Sequence, residues 1–363
     1  MLTESPPAND PLVQDHERAE LLKFASSISV LMICPELPSA DNPGSMAPGA
    51  RQIESIQNLG IKTHVVDMRG VPKFKYLQVI PRIRKLAAQV DLIHSHFGYC
   101  GWLGRLAPAF SGKRPPLVIS YMGDDLLGSP INEKGDLERI SRMIANYNIR
   151  FARKADAVIT KSREMANLLS VPVSVIPNCV DTDIFKPIPR TSACQDLGVT
   201  AVNAKKTRVL FAGNPENPRK RFGLASKATE IAGQILGSEL DLVPMWGVAP
   251  DQVPVLMNSC DAMLMTSYIE GSPNVVKEAM ACDLPVVGVK VGDVHELLDG
   301  VACCRRTDDT PEQIGKGLSE VLQTNHTERF GRDSVFSKGL TLDNAALRIA
   351  RVYRSVLNPA GRS

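Results

Sequence analysis

No Gly-x-Gly-x-x-Gly occurs in the 363 residues, and no Gly-x4-Gly-Lys precedes a Ser or Thr. The first absence argues against a dinucleotide oxidoreductase, the second against a P-loop phosphotransferase. No apolar run approaches the roughly 20 residues that a membrane-spanning helix needs. The first 27 residues lack an apolar core of the signal-peptide kind and read as a polar, partly helical extension. Eight cysteines form no Cys-x-x-Cys and no ligand-like cluster, so they read as small hydrophobes in a reduced, cytoplasmic setting. Aromatics make up 5% and no recognised nucleic-acid module appears, so nucleic acid is not an expected partner.

What is present is a globular composition, 44% hydrophobic and 22% charged, in a chain long enough for two domains. Between Ile28 and Pro187, 20 Lys and Arg outnumber 14 Asp and Glu. Short β-rich runs, "ISVLMIC", "KTHVVDM", "VDLIHSH", "PLVISYM" and "ADAVITKS", alternate with helical segments such as "ARQIESIQNLG" and "KYLQVIPRIRKLAAQ". After "VIPNCVDTDIFKPIP" the pattern restarts with "TRVLFAG", "ELDLVPMWG", "DAMLMTS", "LPVVGVKVG" and "GVACCRR". Strand–helix alternation predicts parallel sheets covered by helices on both faces. The expectation is an α/β protein of two doubly wound, Rossmann-like domains facing across a cleft. Residues 28–187 form the first, ending in a linker at 177–189, and 190–342 the second. A helix at 343–363, apolar at Leu347, Ile349, Val352, Tyr353 and Val356, is expected to pack back on the first domain.

Such sheets bind ligands beyond the carboxyl ends of their strands. After "DAMLMTS" the chain turns through "YIEG" into "SPNVVKEAMAC". Ser272 is the expected N-cap and Pro273 the first helical residue, with the helix running to Cys282. The amides of Asn274, Val275 and Val276 would then face forward at the positive end of the helix dipole and suit a diphosphate. Glu278, in the second turn, leans back toward that end. It suits a ribose hydroxyl, and Glu270, before the turn, suits hydroxyls on the far side of the phosphates. One carboxylate for each sugar flanking a diphosphate describes a nucleotide sugar.

The stretch "EGSPNVVKE" resembles the Glu-x7-Glu motif of retaining GT-B glycosyltransferases, in particular family 4. "VSVIPNCVDTDIFKP", "RVLFAGNPENPRKRFGLA" and "PLVISYMGDDLL" resemble that family's interdomain segment, phosphate-binding loop and first-domain His-Gly-x-Asp segment, in the same order. The resemblance implies a metal-independent retaining transferase. It would move a sugar from a nucleoside diphosphate to a glycan or lipid-linked saccharide in surface polysaccharide assembly. It implies that Glu270 binds the transferred sugar, that Lys220 stabilises the departing diphosphate, and that Glu278 binds the ribose. Backbone from Gly271 through Ser272, Pro273, Asn274 and Val275 to Val276 would meet the donor, and Gly49 would approach phosphate or acceptor. Asn214 stands where many members carry Arg, leaving Arg219 or Arg221 to supply the second cation. Met122 replaces a frequent His. Two rivals keep the fold: a nucleotide-sugar epimerase and a non-catalytic binding protein.

His94 and His96, two apart on a strand, are expected to point oppositely or, at the strand end, into a loop, and to be structural or to line the cleft and bind no metal. His96, at the strand end, is expected on the acceptor side, with Asp124 and Asp125 there as acceptor contacts or turn caps. His295 is expected to be exposed. Five basic residues from Lys73 to Lys85, with no acid before Asp91, suit contact with an anionic membrane at its inner face.

Overall fold

The computed structural model describes residues 12–70, 77–110, 114–132, 135–200, 203, 205–324 and 330–358. It divides into two units. The first holds residues 1–128, 139–179 and 342–363; the second holds 129–138 and 180–341.

In the first unit, β1 (Ser29–Cys34), β2 (Lys62–Asp67), β3 (Leu92–His96), β4 (Leu117–Ser120), β5 (Ala157–Thr160) and β6 (Ser174–Val175) form one parallel sheet. Its order is β2-β1-β3-β4-β5-β6. β3 and β4 are buried at every position, as a strand covered by helices on both faces must be. Helices α1 (Asp15–Ala25), α2 (Ala47–Asn58), α3 (Ile80–Ala87), α4 (Gly98–Leu106), α5 (Asp124–Leu127), α6 (Arg139–Phe151) and α7 (Arg163–Asn167) precede or link these strands.

The second unit begins with α8 (Arg190–Asp196). Its sheet consists of β7 (Thr207–Phe211), β8 (Leu240–Pro244), β9 (Ala262–Met265), β10 (Val286–Val289) and β11 (Arg305–Thr307). All pairs are parallel, in the order β11-β10-β9-β7-β8. The interleaved helices are α9 (Phe222–Leu236), α10 (Val253–Asn258), α11 (Asn274–Ala281), α12 (Val294–Leu298), α13 (Pro311–Gln323) and α14 (Gly331–Ser337). α13 shows why one starts where it does: Pro311 occupies the first position and Thr310 Oγ1 accepts the Gln313 amide at 3.3 Å.

The last helix, α15 (Leu342–Leu357), belongs to the first unit, where Ala345, Leu347, Ile349, Val352 and Tyr353 are buried in the same cluster as β1 and α2. The polar extension is part of that core too. Leu21 and Ala25 of α1 are fully buried, and Glu17 takes two hydrogen bonds from Arg351 of α15, at 2.8 and 2.6 Å.

Candidate functional site

In the second sheet β9 and β7 are neighbours although β8 lies between them in sequence, so the crossovers on the two sides of this pair run in opposite directions. This is the switch point where open α/β sheets leave a crevice at the carboxyl ends of their strands. The loops leaving β7 and β9 flank it. After β7, residues Pro218–Lys220 make a short 3-10 turn that Asn217 caps by accepting the Arg219 amide at 3.0 Å. After β9 the chain runs through Thr266–Ser272 into α11.

Three hydrogen bonds tie these loops in register. Thr266 Oγ1 donates to Lys220 O at 2.8 Å, the Tyr268 amide to Arg219 O at 2.9 Å, and Arg221 Nε to Thr266 O at 2.7 Å. With the backbones fixed, Lys220 Nζ meets Glu270 Oε1 at 2.7 Å, and Arg219 lies 4.0 Å from the other oxygen. Burial alone would raise the Glu270 pKa. The charges of Lys220 and Arg219 and hydrogen bonds from Lys220 and Ser267 outweigh it, and the group is held below the usual carboxylate range. Two glycines make the room. At Gly213 (φ +148°) a Cβ would press on the Lys220 stem at 3.1 Å, and at Gly292 (φ +54°) it would lie 2.8 Å from the carbonyls of Glu270 and Gly271.

α11 begins one residue later than its sequence suggests. Pro273, extended at φ −67° and ψ 119°, is the N-cap, and no side chain caps the helix. Ser272 does not cap because its hydroxyl is engaged elsewhere: it donates to Asp293 Oδ2 at 2.6 Å and accepts from Lys277 Nζ at 2.5 Å. Lys277 is fully buried and also donates to Ser272 O at 3.3 Å. Burial raises the Asp293 carboxyl pKa, and Lys277 and Ser272 only partly offset it. Sequence reading named Ser272 only as a cap and donor contact and passed over Lys277 and Asp293; the one signal was a lysine inside an otherwise apolar helix face, Val275, Val276, Ala279. Glu278 is buried one turn into the helix.

The switch point thus gathers uncapped first-turn amides and the Arg219, Lys220 and Glu270 charges, groups whose chemistry can receive an anion. Comparison with known proteins gives the family and the fold. The family described as "Glycosyltransferase Family 4" matches residues 28–184, and "Glycosyl transferases group 1" matches residues 198–324. The chain belongs to glycosyltransferase family 4, with the GT-B fold.

A D-inositol 3-phosphate glycosyltransferase of Thermobispora bispora is 23% identical to this glycosyltransferase, over 75% of this chain and 72% of the relative. A putative teichuronic acid biosynthesis glycosyltransferase, TuaC, of Bacillus subtilis is 23% identical, over 74% and 83%. Among solved structures, sucrose-phosphate synthase of Thermosynechococcus elongatus superposes with TM-score 0.68 at 14% identity, covering 92% of this chain and 100% of that one. Anabaena HepE in complex with UDP-glucose gives 0.64 at 19%, covering 90% and 100%.

Other expected site residues of the glycosyltransferase are placed differently. Arg221 is not brought to the Lys220–Glu270 pair: its guanidinium holds Thr266 O and, at 3.0 Å, Asp309, so it braces the loop. Gly49 is the third residue of α2, packed beneath the Met46 side chain. His94 and His96 do not point oppositely. Strand side chains repeat every two residues, so i and i+2 share a face, and the two rings stack with centroids 4.6 Å apart. Both are fully buried. His94 lies between Tyr353 (2.6 Å) and Ser120 (2.7 Å), and His96 meets Gln52 at 3.2 Å. Burial drives both pKa values down, so both are neutral rings inside the domain, and His96 offers the acceptor no exposed surface.

Asp125 accepts the amides of Gly98, Met122 and Gly123, each at 3.0 Å, joining the loops after β3 and β4 as a turn cap. Burial nevertheless raises its pKa to about 6. Asp124 beside it is exposed. His295 is half-buried, and its Nε2 is buried. Of the five basic residues at 73–85, Lys73 and Lys75 lie outside the described residues; Arg82, Arg84 and Lys85 are on α3. Among the described residues, no group of three or more His, Cys, Asp or Glu could hold a metal, and no helix is long and apolar enough to cross a membrane.

Proposed function

We propose that this glycosyltransferase moves a sugar, with retention, from a nucleoside diphosphate to a hydroxyl of a glycan or lipid-linked saccharide in surface polysaccharide assembly, without a metal. The observation that carries the reading is the Lys220–Glu270 pair, 2.7 Å apart, in front of the uncapped start of α11. The diphosphate would sit on the amides of Asn274 to Val276, with Lys220 and Arg219 supplying the positive charge a metal would otherwise supply. Glu278 would accept from the ribose, and Glu270 from the transferred sugar once Lys220 turns toward phosphate. The bond between the anomeric carbon and the phosphate oxygen breaks, its electron pair leaving on the diphosphate. The acceptor oxygen bonds the same face of that carbon, and its proton passes to the departing phosphate oxygen. No side-chain base is required, which suits Met122 at the position where the resemblance expects a His.

A solved neighbour is described in complex with UDP-glucose, which makes uridine nucleotides the first donors to test. Eight free, buried thiols suit a cytoplasmic site of action.

The test is thermal shift, in EDTA, against UDP, GDP, ADP, CDP and their sugar conjugates, for wild type and Glu278→Ala. Stabilisation by one nucleotide family, reduced in the variant, is expected. Transfer to an acceptor should then give a product with the donor's anomeric configuration by NMR. Stabilisation that appears only with Mg²⁺ or Mn²⁺ overturns metal independence; an inverted product overturns retention; and conversion of the sugar with no acceptor present identifies an epimerase.

A further inference from the structure

Behind the turn that carries Glu270 lies a charged pair with no part in the transfer chemistry. Lys277, one turn into α11, is fully buried, and Asp293, at the start of α12, is buried as well. An ion pair closed to water is a weak stabiliser, because desolvating both charges offsets most of their attraction. For packing alone, two apolar side chains would serve as well. What sets this pair apart is where its bonds go.

Lys277 Nζ reaches back to both oxygens of Ser272, the hydroxyl at 2.5 Å and the carbonyl at 3.3 Å, and Asp293 Oδ2 accepts the same hydroxyl at 2.6 Å. Among the described residues no backbone amide donates to the Ser272 carbonyl. The two preceding carbonyls, of Glu270 and Gly271, face Gly292, where a Cβ would lie 2.8 Å from each oxygen. Three successive carbonyls thus turn toward Lys277 and the loop after β10. No peptide bond among the described residues is cis, so each N–H points opposite to the carbonyl of its own peptide. The amides of Gly271 and Ser272 are therefore directed to the other side of the turn, and neither has a backbone acceptor among the described residues.

We propose that Lys277 and Asp293 are positioning residues for the donor: they hold the Ser272 oxygens on the inner side of the turn, so that the face meeting the sugar-bearing phosphate presents N–H groups and no backbone oxygen. A carbonyl released toward that face would set its negative end against the phosphate and work against the helix dipole. Neither side chain touches the donor; both act through Ser272. The inference rests on the donor reading above and deepens it.

The test uses UDP, GDP, ADP or CDP, whichever stabilises wild type, with the matching monophosphate and sugar conjugate. Lys277→Met alone would strand Asp293, so the informative variant is Lys277→Met/Asp293→Asn, which should melt above Lys277→Met. By calorimetric titration this variant should bind the diphosphate at least about tenfold less tightly than wild type and the monophosphate within about twofold, as the loss of a hydrogen bond or two to a charged group would give. In transfer assays donor KM should rise by a similar factor, with kcat within about threefold, the mark of lost ground-state binding. Ser272→Ala, a milder change, removes the shared hydroxyl and should shift the ratio of the two affinities in the same direction. An unchanged ratio in both variants, or diphosphate affinity that recovers along with the melting temperature, overturns the positioning role and leaves the donor reading standing. Wild type that binds none of the four diphosphates overturns both.

Discussion

Lys220 Nζ lies 2.7 Å from Glu270 Oε1 across fifty positions of sequence, on loops that leave two adjacent strands. Each side chain is the other's counter-charge until a ligand takes one of them. Replacing Lys220 with Ala should lower kcat by roughly 10²–10³, as removal of a group aimed at developing negative charge does elsewhere. Glu270→Ala should lower the melting temperature by stranding Lys220 in a largely buried site, and a bound nucleoside diphosphate should restore part of the loss. Transfer assays and melts with and without nucleotide check both.

The same pair sets a pH dependence. The folded Glu270 pKa lies below its unfolded value, so its contribution to stability is present above the ordinary carboxylate range and is lost as pH falls through the folded pKa. Urea midpoints of wild type and Glu270→Gln should converge on acidification below about pH 4.

Asp125 has the opposite sign. Its pKa is raised to about 6, so its favourable contribution is full below the unfolded pKa and disappears as pH rises through 6. Stability should decline across pH 4 to 6 by an amount on the order of 2–3 kcal/mol, and Asp125→Asn should flatten that slope in denaturation curves taken at each pH.

Lys277→Met removes the charge facing Asp293 in a site closed to water. A loss of about 3–5 kcal/mol is expected. Lys277→Met/Asp293→Asn should lose less than the two single changes together, a coupling that a double-mutant cycle by urea denaturation measures.

Gly292→Ala places a methyl carbon 2.8 Å from two backbone carbonyls at a left-handed position. The Glu270–Gly271 segment must move, and donor affinity, read by nucleotide thermal shift, should fall more than the fold's own melting temperature.

The two sheets were legible because fully buried strands such as "LVIS" and "AMLM" are apolar throughout, and the turn into α11 because Glu-x7-Glu brings its own spacing. Its N-cap was not: Ser272 has the right chemistry for capping, but Asp293 and Lys277, distant or seemingly surface-bound in sequence, compete for the same hydroxyl. Arg219, Lys220 and Arg221 look alike in "PRKRF". Arg221 sits at a left-handed turn (φ 54°) and bonds Thr266 O and Asp309, whereas Arg219 and Lys220 meet Glu270. His94 and His96 were misread through strand parity, which the period of two alone corrects.

The return of α15 to the first unit has a consequence for biosynthesis. Residues 180–341 are inserted into that unit's sequence, and their own strands and helices are all translated before Leu342. The first sheet is made earlier, but the cluster over β1 is completed by Ala345 to Tyr353, and the Tyr353 hydroxyl is the partner of His94 Nδ1. A chain cut short before Leu342 during synthesis would therefore carry every strand of both sheets yet leave the cluster over β1 uncovered and His94 without the Tyr353 hydroxyl.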